Sequence, residues 1–185
     1  MRVLVLSHTR CGSTTLCKWL SKELNIPLDQ TPYDAKTFNN IFEDDNIIRK
    51  IVLEEYFPSK EDIIKFDKVI FLSRVNNFDA AISHITARDS EEWHKEYEVT
   101  QEWIETNKIR IIEISNYINS LKMKLKDYIG FHITYEDLYI DKSSVSRMLA
   151  YVNIDNPKYL EMLDCDKKYR KDVNQFTKNK PLTLI

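Results

Sequence analysis

The 185-residue chain carries 27 Lys and Arg against 29 Asp and Glu, a formal charge of −2, with 43% hydrophobic and 30% charged residues. That length fits a single domain, 1–185, with a substantial core, and the slightly acidic balance speaks against general nucleic-acid binding, so an anionic ligand must be met by a local cluster of cations. Three cysteines, Cys11, Cys17 and Cys165, make no C-x-x-C pair, which points away from a disulfide framework or a zinc site and toward a reducing, cytoplasmic setting. The N-terminus opens on a strand rather than on a signal-like apolar region, and no apolar run is long enough to span a bilayer.

Arg2 to Leu6 is short, apolar and β-branched, as expected of a buried parallel strand. Leu16, Trp19, Leu20 and Leu24 recur at helical spacing, so a helix begins at Ser13-Thr14-Thr15. Between them lies Ser-His-Thr-Arg-Cys-Gly, which holds Gly12, one of only two glycines in the chain. A helix start presents unpaired N–H groups and partial positive charge, and a residue without Cβ lets backbone approach a ligand closely, so the turn suits a phosphate or sulfate. Compared with the ATP-binding pattern G-x-x-x-x-G-K-[ST], the segment keeps Gly12 and Thr14, places Ser7 at the first glycine and replaces the lysine with Ser13. Loss of that lysine disfavours ordinary ATP or GTP hydrolysis and leaves Arg10 as the nearby cation.

Asn25 to Asp45 is polar and turn-rich, with Pro27 and Pro32, and is expected to hold a short second strand. Ile47 to Tyr56 reads as a strand ended by Pro58, and Ser59-x-x-Asp62 as a capped short helix leading to Phe66. Lys68 to Ser73 is a further buried strand. Asn76 or Asn77 would cap the next helix, with Phe78, Ala81, Ile82 and Ile85 on one face. Ala87 to Val99 is densely charged and aromatic. Ile104, Ile111, Ile114, Ile118, Leu121 and Leu125 mark one long amphipathic helix, followed by a strand from Gly130 to Thr134 and a helix from Ser143 to Val152. Strands alternating with helices imply a three-layer α/β fold, a mostly parallel central sheet flanked by helices and P-loop NTPase-like, with ligands at the carboxyl ends of the strands.

Three segments together resemble the sulfotransferases that use 3′-phosphoadenosine 5′-phosphosulfate (PAPS). Thr9-Arg10-Cys11-Gly12-Ser13-Thr14-Thr15-Leu16 resembles their 5′-phosphosulfate loop, with Cys11 where serine is usual. Arg74 through Ser83 resembles their 3′-phosphate motif, an arginine closing a strand and a serine on the next helix, here one residue later than usual. Tyr135-Glu136-Asp137-Leu138 resembles the segment that follows their core strand, and the resemblance puts Tyr135 near the adenine. Arg170 to Thr177, in a basic tail, resembles the segment that closes over the nucleotide in cytosolic relatives.

The resemblance implies transfer of a sulfuryl group from PAPS to a hydroxyl or amine acceptor, without a metal. Arg10 would stabilise the leaving phosphate, and the loop from Arg10 to Thr15 would hold the 5′-phosphosulfate. Arg74 and Ser83 would hold the 3′-phosphate, and Arg170 would lie over the nucleotide. In relatives the general base is a histidine or a glutamate on the strand before the 3′-phosphate strand. The corresponding stretch, Ile51 to Tyr56, offers Glu54 and Glu55. Glu55 lies nearer the strand's carboxyl end and is favoured, while Glu54, Asp29 and Asp34 stay open. His8 is a further candidate base, though the reading as a structural histidine beside the loop is preferred, and His84, His94 and His132 show no partner in sequence. Read from the residues themselves, the segment after the first helix is expected to hold part of the acceptor pocket, and Ala87 to Val99 reads as a lid, part of the acceptor site or a solvated helix face. The alternatives are a P-loop kinase or NTPase, which the missing lysine disfavours, and a non-catalytic protein that retains the fold.

Overall fold

The computed structural model describes residues 1–29, 45–91 and 99–164. Five strands, β1 (Arg2–Ser7), β2 (Leu28–Asp29), β3 (Ile47–Val52), β4 (Lys68–Ser73) and β5 (Phe131–Thr134), form one parallel sheet in the order β2-β3-β1-β4-β5. The described α-helices are α1 (Ser13–Leu24), α2 (Lys60–Ile63), α3 (Asn77–Ser90), α4 (Gln101–Thr106), α5 (Lys108–Leu125) and α6 (Val145–Tyr151).

The alternation of side chains along β1 builds both layers around the sheet. Val3 and Val5 pack with Leu16, Trp19 and Leu20 of α1 and with Met148 of α6. Leu4 and Leu6 face the other way, toward Phe71 and the last turns of α5 at Leu121 and Leu125. Residues Val3 through Leu6 are completely buried, as a central strand covered on both faces requires. At these positions a polar substitution would cost far more than it would at a strand edge.

Local chemistry sets several boundaries where the sequence places them. Ser59 accepts a hydrogen bond from the Asp62 N–H, and Asn76 accepts from the N–H groups of Phe78 and Asp79, each satisfying donors at a helix start. Gly130 precedes β5, where a Cβ would lie 2.4 Å from Phe71 Cε2 and 2.8 Å from the Val69 carbonyl oxygen. No side chain fits there.

Four expectations are corrected. The strand beginning at Ile47 ends at Val52 rather than Tyr56, because the N–H groups of Glu55 and Tyr56 turn back onto the Val52 carbonyl. The long amphipathic helix is broken at Asn107, where the backbone leaves helical angles at φ −99° and ψ 9° and the side-chain Nδ2 donates to Trp103 O at 3.0 Å. On α3, Ala81 and Ile85 are buried together with Ala80 and Ala87, whereas Phe78 is exposed at 38%. The last predicted helix is shorter, Val145–Tyr151, and a π-helical turn, Glu136–Ile140, precedes it.

Candidate functional site

The loop between β1 and α1 lies at the carboxyl end of the central strand. Two of its residues take left-handed backbone conformations, Arg10 at φ 64° and Gly12 at φ 78°. A Cβ at Gly12 would come within 2.8 Å of Tyr139 Cε2, and the Tyr139 hydroxyl donates to the Gly12 carbonyl at 2.7 Å. Conformation and space both favour glycine here. Among the described residues no side chain caps the start of α1, so its leading N–H groups are open to an anion. Ser13 is buried, Thr14 half-buried and Thr15 exposed.

His8 ties this loop to the end of β4. Its Nδ1 lies 2.8 Å from Thr9 O, and its Nε2 accepts the Arg74 backbone N–H at 3.1 Å. A carbonyl can only accept and an amide N–H only donate, so the proton resides on Nδ1 and the ring is neutral. Burial pushes the His8 pKa down to about 4. Cys11 Sγ sits 3.0 and 3.1 Å from the two ring nitrogens, fully buried, and burial raises its thiol well above the ordinary range. Cys11 therefore packs under the loop as a thiol, and its side chain offers nothing to the open face.

The residues singled out in three separate segments meet here. Arg10 Nε donates to Ser83 Oγ at 2.8 Å, and the Arg10 carbonyl lies 3.5 Å from Arg74 Nη1. The Arg74 guanidinium is 4.7 Å from the centre of the Tyr135 ring, and its Nε is 4.0 Å from Glu136 Oε1. Glu136 also accepts the Val75 N–H at 2.9 Å. Lys122 of α5 donates to the Arg74 carbonyl and to Asn77 Oδ1, and burial lowers its pKa. Ser83 thus pairs with Arg10 rather than with Arg74. Each residue turns a helix by about 100°, so a serine one place later faces a different neighbour.

Of the two glutamates, Glu54 reaches the loop. Both of its carboxylate oxygens accept the Thr9 N–H, at 2.9 and 3.1 Å, and the Thr9 hydroxyl donates to Oε1 at 3.1 Å. The same hydroxyl lies 2.9 Å from His84 Nδ1. Burial raises the Glu54 pKa, opposed by the Thr9 hydrogen bonds, and desolvation lowers that of His84. Glu55, favoured from the sequence, is exposed in the turn after β3. Asp29 pairs with buried Arg49 at 3.3 Å, and His132 is exposed and stacked on Phe71 at 4.4 Å. Asp34, His94, Arg170 and most of the proposed acceptor segments lie outside the described residues.

Sequence reasoning missed Tyr139, which holds the Gly12 carbonyl, and Lys50, whose Nζ donates to Thr14 Oγ1 at 3.2 Å. Neither belongs to a local pattern. A cavity of about 160 Å³ opens against α5, lined in part by His8, Leu53, Ser73, Lys122 and His132. Among the described residues no three His, Cys, Asp or Glu side chains gather as a metal site, and no helix is long and apolar enough to cross a membrane.

No family model and no curated protein matches the sequence. Among solved structures, the chain is similar to mouse sulfotransferase SULT7A1 complexed with PAP, with a TM-score of 0.54 and 18% identity over 97% of this chain; it spans 66% of the mouse chain. It is also similar to shikimate kinase from Bacteroides thetaiotaomicron, with a TM-score of 0.51 and 13% identity over 83% of this chain and 98% of the kinase. At these identities the likeness is one of fold: an α/β, P-loop-like architecture shared by a sulfotransferase and a kinase.

Proposed function

We propose that the protein is a PAPS-dependent sulfotransferase acting on a hydroxyl or amine acceptor in the cytoplasm. The observation that carries this reading is the meeting of Arg10, Arg74, Ser83 and Tyr135 beside the start of α1, which no described side chain caps. Those features suit an adenine nucleotide phosphorylated at both ends: N–H groups and one cation for the 5′-phosphosulfate, a second cation for the 3′-phosphate and a flat ring for the base.

In this account the N–H groups of Gly12 to Thr14, with Thr15 at the exposed edge, hold the 5′-phosphosulfate. Cys11 contributes through backbone. Arg74 and Ser83 serve the 3′-phosphate, and Tyr135 stacks near the adenine. The acceptor oxygen or nitrogen attacks sulfur in line, the bond from sulfur to the bridging oxygen breaks, and its electron pair passes to the 5′-phosphate, where Arg10 offsets the developing charge. The acceptor's proton goes to Glu54, whose raised pKa makes it a better base than an exposed carboxylate. Glu55 is the alternative base if the turn after β3 rearranges on binding.

Incubation with radiolabelled PAPS and a panel of phenol, sugar, peptide and amine acceptors tests the reading. Label transferred to an acceptor, and lost in Arg10→Ala, supports it. Transfer of phosphate from magnesium ATP to the same panel would instead assign a kinase.

A further inference from the structure

Lys50 is out of place on a strand next to the central one. It lies on β3 opposite Val5 of β1 and shares the parity of Ile48, which is completely buried in the α1-side core. An apolar residue would ordinarily stand there. Its side chain is half-buried, its Nζ donates to Thr14 Oγ1 at 3.2 Å, and among the described residues no carboxylate pairs with it. A half-buried ammonium that no described carboxylate meets, beside a helix start that no described side chain caps, is arranged for an anion.

Thr14 gives the position a sharper meaning. In ATP-binding loops the hydroxyl at this place ligates magnesium, which bridges and neutralises the phosphates, while the preceding lysine reaches them directly. Here Ser13 stands at the lysine position, and the hydroxyl that would ligate the metal already accepts from an ammonium. A divalent cation at Thr14 would meet a like charge within hydrogen-bond range. We propose that the Lys50 ammonium takes the place of that metal, making the site at the start of α1 a magnesium-independent receptor for the 5′-phosphate of a nucleotide. The inference rests on the placement of the 5′-phosphate given under Proposed function, but not on the transferred group being sulfuryl.

Calorimetric titration of the full chain in EDTA and in millimolar magnesium tests it, with 3′-phosphoadenosine 5′-phosphate (PAP), ADP and 3′-AMP as probes. The wild-type protein binds PAP with the same affinity, within about twofold, in EDTA and in magnesium. Lys50→Met weakens PAP by about 10- to 100-fold, the scale of one charge-assisted hydrogen bond, and leaves 3′-AMP unchanged. Lys50→Arg, which keeps the charge, retains most of the PAP affinity. PAP affinity unaltered in a folded Lys50→Met, or wild-type affinity raised tenfold or more by magnesium, overturns the inference; the magnesium comparison needs no variant to fold. Wild-type preference for ADP over PAP would defeat the sulfotransferase reading while leaving Lys50 to be judged on ADP. Binding of none of the three probes defeats both.

Discussion

Arg10 Nε donates to Ser83 Oγ at 2.8 Å, joining the loop after β1 to the second turn of α3. In the proposed roles these residues serve opposite ends of one nucleotide, so their contact brings the two phosphate sites into the same cleft. A bound nucleotide would share or replace this bond. The left-handed backbone at Arg10 sets the direction in which its side chain leaves the loop; few non-glycine residues adopt that conformation, and those that do cluster at functional sites.

Arg10→Ala is expected to lower the turnover of PAPS by about 100- to 1,000-fold, as loss of one charge-stabilising donor does elsewhere. Affinity for PAP should fall less. The check is a kinetic comparison with any acceptor found by radiolabel transfer, and near-normal turnover in the variant would remove Arg10 from the reaction.

Ser83→Ala is expected to keep the fold and weaken PAP by about 2- to 10-fold, the range for one neutral hydrogen bond. Titrating PAP and ADP side by side separates the possibilities. A loss confined to PAP puts the hydroxyl on the 3′-phosphate, whereas equal loss for both means that Ser83 acts only by positioning Arg10.

Glu54→Gln should leave PAP affinity unchanged and slow transfer, while Glu55→Gln should do neither. A general base works deprotonated, and burial raises the Glu54 pKa, so activity should fall, on acidification, at a higher pH than an ordinary glutamate would give. The pH profile of kcat in wild type and Glu54→Gln reads this directly. An acid limb that persists in the variant would assign the proton elsewhere.

His8 should make the fold sensitive to acid. Its pKa is about 4 in the folded chain against 6.5 for an unperturbed histidine, so between those values the unfolded chain binds the extra proton. Stability therefore rises with pH through that window, by about 3 kcal/mol in all. Urea midpoints at pH 4.5 and 7.5 should differ less in His8→Gln than in wild type; an equal difference would show that His8 does not titrate on unfolding.

What the sequence revealed was local. β1 and β4 are visible because uninterrupted apolar runs are what doubly covered strands need, and the Asn76 cap because its side chain bonds two residues nearby. The loop was readable from Gly12 and the hydroxyl residues after it. What stayed hidden depends on contacts between distant residues: Lys50 meets Thr14 across 36 positions and Tyr139 meets Gly12 across 127. The contact of Glu54, rather than Glu55, with the loop was hidden for a similar reason. Strand parity was extended past Val52, where the backbone had already turned. At Asn107, spacing alone could not show that the backbone would leave helical angles and the side chain turn back onto the Trp103 carbonyl.

The most direct test of the central claim is calorimetric titration of the purified protein with PAP, with magnesium ATP run in parallel. The account predicts binding of PAP in the micromolar range or tighter, and little of ATP. Preference for magnesium ATP, or silence toward both, would contradict it.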